Sequence, residues 1–204
     1  MLGRFTGLAT VMLAAALLHA QAGPSHPSLA ADGPRTQAVV TGALDLKGQS
    51  VNPFEMASGS PLVLIFVRTD CPISNRYAPT IQTLSKKYAG SALLMLVYPD
   101  KSETPQDIEK HLHEYGYKVA ALRDTEHDLV KLSEVQITPE AAVFSSQGEL
   151  MYHGRIDNWY KDFGHARSAP TTHELDDAIQ AALDRAHSAP ASVGGVGCYI
   201  SDLK

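Results

Sequence analysis

Apolar runs alternate with amphipathic segments along the chain, which predicts a fold that switches between buried strands and helices. Residues 61–67 and 93–98 are continuous apolar runs rich in β-branched and aromatic side chains, as expected of strands buried on both faces. The segment between them changes period, and its apolar side chains recur at the spacing of one helix face: Tyr77, Ile81, Leu84 and Tyr88. We therefore predict a helix over residues 75–88.

The second half of the chain continues the same alternation. Thr104, Pro105 and Asp107 have the pattern of a helix start, with a capping hydroxyl, a proline in the first turn and an early carboxylate. The remaining predicted elements are a strand over 119–122, a helix over 126–134, two strands over 141–144 and 150–153, and a long helix over 172–187. The order β-α-β-α-β-α-β-β-α predicts a single α/β domain with a central mixed β-sheet flanked by helices on both faces.

The N-terminal segment differs in pattern from the rest of the chain. Arg4 precedes an apolar run that ends in Ala-Gln-Ala at residues 20–22, the pattern of a secretory signal peptide over residues 1–22. The alternative, a membrane span, needs roughly 20 apolar residues, and this run is shorter. Cleavage after Ala22 predicts a periplasmic or secreted protein with no stable membrane insertion.

The rest of the chain divides into three predicted parts. Residues 23–38 are rich in small and polar residues without periodicity and predict a flexible leader. Residues 39–187 form the predicted domain. Residues 188–204 form a glycine-rich C-terminal tail that carries Cys198.

Composition excludes several classes of function. The chain has 204 residues, of which 44% are hydrophobic and 19% charged, so it can bury a core. It has 17 Lys and Arg against 22 Asp and Glu and lacks the basic excess that nucleic-acid binding requires. Two cysteines cannot build a disulfide-dense scaffold or a four-cysteine zinc site. One bridge or one redox pair remains, and export places both thiols where oxidation persists.

Cys71 is the main candidate for chemistry because it lies where the first buried strand gives way to a helix. Backbone N–H groups at a helix N-terminus favour negative charge, so this position lowers the pKa of a thiol and makes it more nucleophilic. The alternative is an inert buried cysteine, since thiols pack as small hydrophobes. Asp70 opposes ionisation of the thiol, whereas Arg68 and Arg76 favour it. The sequence leaves open which charge dominates.

The sequence around Cys71 resembles a known active-site region. Residues 69–74 are Thr-Asp-Cys-Pro-Ile-Ser between a strand and a helix, with Pro79 inside that helix. Thr138-Pro139 then leads into a strand, a Gln-Gly turn and a second strand. This arrangement resembles the thioredoxin-like superfamily over about Val39 to His187, and most closely its exported redoxin and alkyl-hydroperoxide-reductase-like branch. The resemblance implies a thioredoxin-like fold, with Thr138 and a cis-Pro139 facing a catalytic Cys71.

Three positions depart from the related motifs. Ser74 stands where a C-x-x-C oxidoreductase has its second cysteine, so dithiol exchange within the motif is excluded. Arg68 stands three residues before Cys71, where a peroxiredoxin has Thr or Ser, so the motif does not support peroxidase activity. Asn75 occupies the position that the C-x-x-x-C of copper-delivery relatives would need, which disfavours copper binding.

Cys198 admits three interpretations. The first makes it the resolving thiol that attacks an oxidised Cys71, because a sulfenic acid condenses with a second thiol. The second is a static bridge that ties down the tail, stabilising the fold by roughly 4 kcal/mol or more for so long a loop. A third interpretation pairs Cys198 with another chain. The catalytic candidates are therefore Cys71, Cys198, Thr138 and Pro139.

The nine histidines do not form a metal-binding motif. His111 and His113 are two apart on a predicted helix, where solvated surface is the expectation. His153, His165 and His173 are neighbours in sequence but lack the spacing of zinc ligands. We predict no metal and no cofactor.

The sequence as a whole predicts an exported thiol redox protein that uses Cys71 as its nucleophile. Its substrates are expected to be protein thiols or disulfides, or a peroxide, with a redox partner protein supplying or accepting electrons. The alternative is a non-catalytic binding or scaffold domain of the same fold, with a structural Cys71–Cys198 disulfide. The reactivity of the Cys71 thiol discriminates between the two.

Overall fold

The most apolar runs of the chain form the middle of its fold. The computed structural model describes residues 42–186, 188–201 and 203, and the predicted signal peptide and leader lie outside these ranges. The strands are β1 (Leu62–Phe66), β2 (Leu93–Tyr98), β3 (Ala120–Arg123), β4 (Ile137–Thr138), β5 (Glu140–Phe144), β6 (Leu150–Gly154), β7 (Tyr160–Asp162), β8 (His165–Ala166) and β9 (Cys198–Tyr199). The helices are α1 (Pro53–Ala57), α2 (Pro72–Arg76), α3 (Ala78–Lys87), α4 (Pro105–Glu114), α5 (Asp128–Ser133) and α6 (Glu174–Leu183).

The central sheet is mixed and has five strands in the order β3-β2-β1-β5-β6. Strands β1, β2 and β3 run parallel, whereas β5 is antiparallel to both β1 and β6. Every residue of β1 is buried, as expected of a central strand covered on both faces. The predicted single α/β domain with a mixed sheet is confirmed.

Helices cover both faces of the sheet, so the core has two layers. One layer joins alternate residues of β1 to α2, α3, α4 and α6, and it includes Cys71. The other layer joins the intervening residues of β1 to α1 and α5. The period-two alternation of strand side chains thus divides β1 between the two layers, and it is the first layer that carries the candidate site.

The helix predicted over residues 75–88 is two helices. Helix α2 ends at Arg76 and α3 begins at Ala78, with Tyr77 as the junction. Pro79 lies in the first turn of α3, and it has no N–H to continue the ladder back to Asn75. The apolar spacing correctly predicts helical structure here, but Pro79 lies at the start of a second helix and not inside the first one.

The later helices lie where they were predicted, but α5 and α6 are shorter than predicted. Thr104 caps α4 as expected, and its hydroxyl and the Asp107 carboxylate form a reciprocal capping box. The last helix covers Glu174–Leu183, inside the predicted range of residues 172–187. No helix within the described ranges has the length and apolar character needed to cross a membrane.

The C-terminal segment returns to the domain and forms a small sheet of its own. Strand β9 pairs antiparallel with β4, with Cys198 opposite Thr138. One residue past β9, the N–H of Ile200 donates to the carbonyl of Gln136 at 3.0 Å, and its side chain is buried in the core. The glycine-rich approach to Cys198 therefore follows a defined path along the domain.

Candidate functional site

The position of Cys71 follows from the chain path between β1 and α2. Cys71 is the N-cap residue of α2, and Pro72 takes the first helical position. Proline is favoured there because its missing N–H would have no intrahelical partner. The next two N–H groups, of Ile73 and Ser74, lie near enough to the Cys71 sulfur to lower the pKa of its thiol, although the side chain makes no capping hydrogen bond. Cys71 has no exposed surface, so the thiol lies at the end of the helix and under a cover of protein.

Two segments distant in sequence meet at the Cys71 sulfur. The thiol donates to the carbonyl of Thr138, with a sulfur–oxygen distance of 3.2 Å. Cys198 is the strand partner of Thr138, and its thiol lies close enough to the Cys71 sulfur for each thiol to shift the pKa of the other. Both cysteines are free thiols. The structure thus brings together three of the residues that the sequence proposed as catalytic.

Burial and hydrogen bonding act in opposite directions on Cys71. Burial raises the pKa of Cys71, because a charged thiolate loses solvation. Four nearby donor groups lower the pKa by more: the Cys198 thiol, the Ser74 hydroxyl and the N–H groups of Ser74 and Ile73. The contact with the Thr138 carbonyl exists only for the protonated thiol. The net pKa of Cys71 is below that of an ordinary cysteine.

Cys198 is shifted in the other direction. Burial first, and then its hydrogen bond to Cys71 and the charge of Cys71, raise the pKa of Cys198 to about 12. Arg68 lowers the pKa of Cys198 and Asp70 raises it, each by a smaller effect. The two thiols therefore differ in acidity, since Cys71 ionises first and Cys198 keeps its proton.

Ser74 occupies the place of a second motif cysteine and turns toward Cys71. Its side chain is fully buried, and its hydroxyl makes no hydrogen bond with any described residue. The hydroxyl lies close enough to the Cys71 sulfur to lower the pKa of that thiol. A hydroxyl here can stabilise a thiolate, but it cannot form a disulfide.

Thr138 and Pro139 lie on the other side of the two sulfurs. The Thr138–Pro139 peptide bond is cis, so the predicted isomer is confirmed. Thr138 is fully buried, and its hydroxyl donates to the carbonyl of Cys198 at 3.4 Å. The Thr138 residue thus contacts both cysteines. The catalytic roles of Thr138 and Pro139 remain predictions.

The charges flanking Cys71 are paired with each other. The Arg68 guanidinium lies 3.0 Å from the Asp70 carboxylate and 2.9 Å from the Asp100 carboxylate. The Asp70 side chain is largely exposed, so solvent and Arg68 both screen its charge. Neither Arg68 nor Asp70 is among the main influences on the pKa of Cys71. The sequence left open which of these charges dominates at the thiol, and in the structure neither does.

A buried network missed by the sequence analysis fixes α2 from behind. His111 is buried, which corrects the expectation that it lies on a solvated surface. Its Nδ1 accepts from the Tyr98 hydroxyl and its Nε2 donates to Asn75 Oδ1, both at 2.8 Å. Asn75 then donates to the carbonyl of Thr69 at 3.0 Å. The signal was present, because His111 follows Ile108 by three residues and lies on the same helix face.

A buried carboxyl also supports the turn before Cys71. Glu103 Oε1 accepts from the N–H of Thr69 at 2.6 Å, and the side chain is buried. Burial raises the pKa of Glu103, although the hydrogen bonds to Thr69 oppose the shift. No local pattern in the sequence marks this residue, because its partner is 34 positions away.

The other histidines singled out in the sequence lie apart from the cysteines. His153 faces Glu134 at 3.5 Å, and His165 is paired with Asp162 on an exposed hairpin. Within the described ranges, no three His, Cys, Asp or Glu side chains are grouped as metal ligands.

Comparison with solved structures shows the fold. The crystal structure of a conserved protein from Geobacillus kaustophilus is similar with a TM-score of 0.68 and 19% identity, over 80% of this chain and 89% of that one. A hypothetical protein from Sinorhizobium meliloti 1021 gives 0.65 and 20%, over 77% and 87%. The solution structure of a thioredoxin-like protein from Porphyromonas gingivalis gives 0.52 and 17%, over 72% and 92%. No family model and no curated protein matches the sequence. The fold is thioredoxin-like, as the sequence predicted.

Proposed function

We propose that this thioredoxin-fold protein is a thiol–disulfide oxidoreductase of the redoxin type, with Cys71 as nucleophile and Cys198 as resolving thiol. The observation that carries the proposal is the convergence of two free thiols at Thr138, whose carbonyl accepts from the Cys71 thiol and whose strand partner is Cys198. The pKa values of the two thiols are shifted in opposite directions. A thiolate is the attacking species in disulfide exchange. The lowered pKa of Cys71 supplies that species, and Cys198 is already in place to complete the exchange.

The proposed reaction begins at a disulfide of a partner protein. The Cys71 thiolate bonds to one substrate sulfur, and the other substrate sulfur leaves as a thiolate and takes a proton from solvent. Cys198 then loses its proton and attacks the Cys71 sulfur, which forms the Cys71–Cys198 disulfide and releases the second substrate thiol. Two electrons pass from the two cysteines to the substrate. A dithiol of a reducing partner protein restores both cysteines by the reverse exchange.

The electrostatics favour this order of events. The hydrogen bond and the charge of Cys71 contribute to the raised pKa of Cys198, after burial. Once Cys71 is in a mixed disulfide it carries no charge, so both contributions disappear and the pKa of Cys198 falls. The resolving thiol thus becomes reactive after the first step and not before it.

Access to Cys71 requires that a neighbouring segment move, because the residue has no exposed surface. Strand β9 has only two residues and pairs with β4 alone among the described strands. Segments held by few hydrogen bonds open at low free energy. We propose that β9 moves aside to admit the substrate disulfide and returns to bring Cys198 to the mixed disulfide.

The geometry favours a disulfide over a peroxide as substrate. Arg68, three residues before Cys71, has its guanidinium between the carboxylates of Asp70 and Asp100. Those ion pairs occupy the group that would otherwise be free to polarise a peroxide. Protein disulfides are therefore the proposed substrate class.

The competing function is a non-catalytic domain in which a permanent Cys71–Cys198 bridge fixes the tail. Both functions place the cysteines together, and they differ in the chemistry of Cys71. A structural cysteine does not need a stabilised thiolate, whereas the groups around Cys71 lower the pKa of its thiol in spite of its burial. This difference favours the redox function.

A reductase assay with insulin as substrate tests the proposal. Cys71→Ser is expected to abolish turnover. Cys198→Ser is expected to accumulate a covalent insulin adduct on Cys71 that reductant releases, because resolution is lost while the first attack remains. Equal inactivity of wild type and both variants, with Cys71 unreactive to alkylation, would leave the binding domain as the better account.

We propose further that the protein is exported and belongs to the exported redoxin branch. The support is the signal-peptide pattern of residues 1–22. Expression of the full chain in a bacterial host tests this, with N-terminal sequencing of the material outside the cytoplasm. The expected N-terminus is Gly23, and an intact chain retained in the cytoplasm would contradict export.

A further inference from the structure

Glu140 connects the loop that carries Thr138 and Pro139 to the segment that carries Cys198. Its side chain is buried at the start of β5. Oε1 accepts from the N–H of Gly195 at 2.8 Å, three residues before Cys198. Oε2 accepts from the N–H of Gln136 at 3.0 Å and of Ile137 at 3.4 Å, just before Thr138. One carboxylate therefore joins the segment that leads into β4 to the segment that leads into β9.

The charge of Glu140 is balanced by backbone groups. None of the ion pairs among the described residues includes Glu140, so its partners are the three N–H donors. Hydrogen bonds to a charged acceptor are stronger than neutral ones. A buried carboxylate held only in this way stabilises whichever chain segments supply the donors, and one of them is the tail.

The tail is shaped to approach Glu140 closely. A Cβ on Gly195 would lie 3.1 Å from the carbonyl oxygen of Pro139 and 3.2 Å from Glu140 Cγ. A Cβ on the neighbouring Gly194 would meet nothing nearer than Glu140 Oε1 at 4.0 Å. A side chain at position 195 would therefore crowd Pro139 and Glu140, whereas one at position 194 would not.

We propose that Glu140 is a positioning residue that holds Cys198 at Cys71 by anchoring the tail through Gly195. This inference rests on the proposed function, since it gives Cys198 its place in the exchange. Glu140 acts through the tail, and it raises the effective concentration of the Cys198 thiol at the Cys71 sulfur without contacting either sulfur.

Glu140→Gln is expected to remove the hydrogen bond to the tail and to keep those to the loop before Thr138. A glutamine keeps one acceptor oxygen and replaces the other with an N–H donor. The oxygen is expected to face Gln136 and Ile137, which offer two donors, so the amide N–H₂ faces the N–H of Gly195 and repels it. The substitution therefore releases the tail while the loop before Thr138 stays bound.

The first measurement is the equilibrium of the Cys71–Cys198 disulfide against glutathione, followed by thiol labelling and mass spectrometry on the full chain. One glutathione disulfide is reduced to two thiols for each protein disulfide formed. Glu140→Gln is expected to lower this equilibrium constant about tenfold, as the loss of one charge-assisted hydrogen bond implies. The exposed Glu149→Gln is the matched control and should leave the constant unchanged. A general loss of fold stability would not shift it, because the reduced and oxidised native states lose stability equally.

The second measurement tests the anchor from the tail side. Gly195→Ala should lower the disulfide equilibrium constant as Glu140→Gln does, whereas Gly194→Ala should not. In a Cys198→Ser background, Glu140→Gln should also speed alkylation of Cys71 by iodoacetamide, because the released tail exposes the sulfur. An unchanged equilibrium constant in Glu140→Gln and Gly195→Ala overturns the positioning role.

The two proposals fail in different ways. If wild type forms no Cys71–Cys198 disulfide at any glutathione ratio, the proposed function is wrong. The alkylation comparison then still decides whether Glu140 anchors the tail, since it does not depend on disulfide formation. Equal alkylation rates with and without Glu140→Gln would overturn the anchor.

Discussion

Thr138 and Cys198 are directly opposed residues of an antiparallel strand pair, although 60 positions separate them in the chain. The Thr138 hydroxyl donates to the Cys198 carbonyl, and the Thr138 carbonyl accepts from the Cys71 thiol at 3.2 Å. One residue thus sets the places of both cysteines.

Gly197→Ala should separate Cys198 from Cys71. A Cβ at position 197 would lie 2.0 Å from the carbonyl oxygen of Thr138, so β9 cannot remain paired with β4. We expect faster alkylation of Cys71 and a much smaller yield of intramolecular disulfide after mild oxidation. Gly194→Ala is the control, because its Cβ has free space. Unchanged alkylation in Gly197→Ala would show that β9 does not cover the sulfur.

Ser74→Cys should create a C-x-x-C motif and raise the rate of insulin reduction above that of wild type. The new thiol would lie beside the Cys71 sulfur, where Ser74 now lowers its pKa, and could release a mixed disulfide without movement of the tail. The sharper comparison is in the Cys198→Ser background, where Ser74→Cys should restore turnover. Failure to restore it would mean that position 74 cannot resolve a disulfide at Cys71.

The alkylation of Cys71 should have a lower pH midpoint than that of an unperturbed cysteine in a model peptide measured in the same way. Burial raises the pKa of Cys71, but the nearby donor groups of Cys198, Ser74 and the start of α2 lower it by more. Cys198→Ala removes one donor, so the midpoint should rise, whereas Cys198→Ser keeps a donor and should change it less. Peptide mapping of iodoacetamide products across pH measures both. A midpoint indifferent to Cys198→Ala would contradict the thiol–thiol contact.

Acid should destabilise the fold through His111. Burial lowers the pKa of His111, so below about pH 6.5 the unfolded state binds protons that the folded state does not. The stability from neutral His111 is complete above that pH and is lost as the pH falls toward the folded pKa. His111→Gln keeps one donor and one acceptor but does not titrate, so its free energy of unfolding should fall less between about pH 7 and pH 5.

Urea unfolding at a series of pH values measures this difference. The exposed His113→Gln, two residues away on the same helix, is the matched control and should retain the wild-type pH dependence. If His111→Gln and wild type lose stability in parallel, the buried network around Asn75 does not depend on a neutral imidazole.

Local sequence patterns predicted those structural features that depend only on residues adjacent in the chain. The run that became β1, the helix start at Thr104 and the location of Cys71 before a helix could all be identified from a few adjacent positions. The break at Tyr77 was missed because the apolar spacing continues through Pro79, and periodicity alone does not register a missing N–H. The spacing between His111 and His113 does not indicate which of them is buried, whereas the three-residue spacing from Ile108 places His111 on the buried face of the helix.

The remaining features of the site depend on contacts that no local pattern encodes. In the sequence Glu140 only precedes the strand predicted over residues 141–144, and its role comes from Gly195, 55 positions later. The pairing of Thr138 with Cys198 likewise becomes visible only when the tail folds back. The sequence could therefore name both cysteines as candidates, but it could not choose among a resolving, a structural and an intermolecular Cys198.

The most direct test of the account is the product of mild oxidation of the purified chain at low protein concentration. Mass spectrometry should show a monomer that has lost two hydrogen atoms and has no free thiol, with one crosslinked peptide pair containing Cys71 and Cys198. Added protein disulfide should give the same product. A monomer with two alkylatable thiols, or a dimer linked through Cys198, would contradict an intramolecular exchange between these residues.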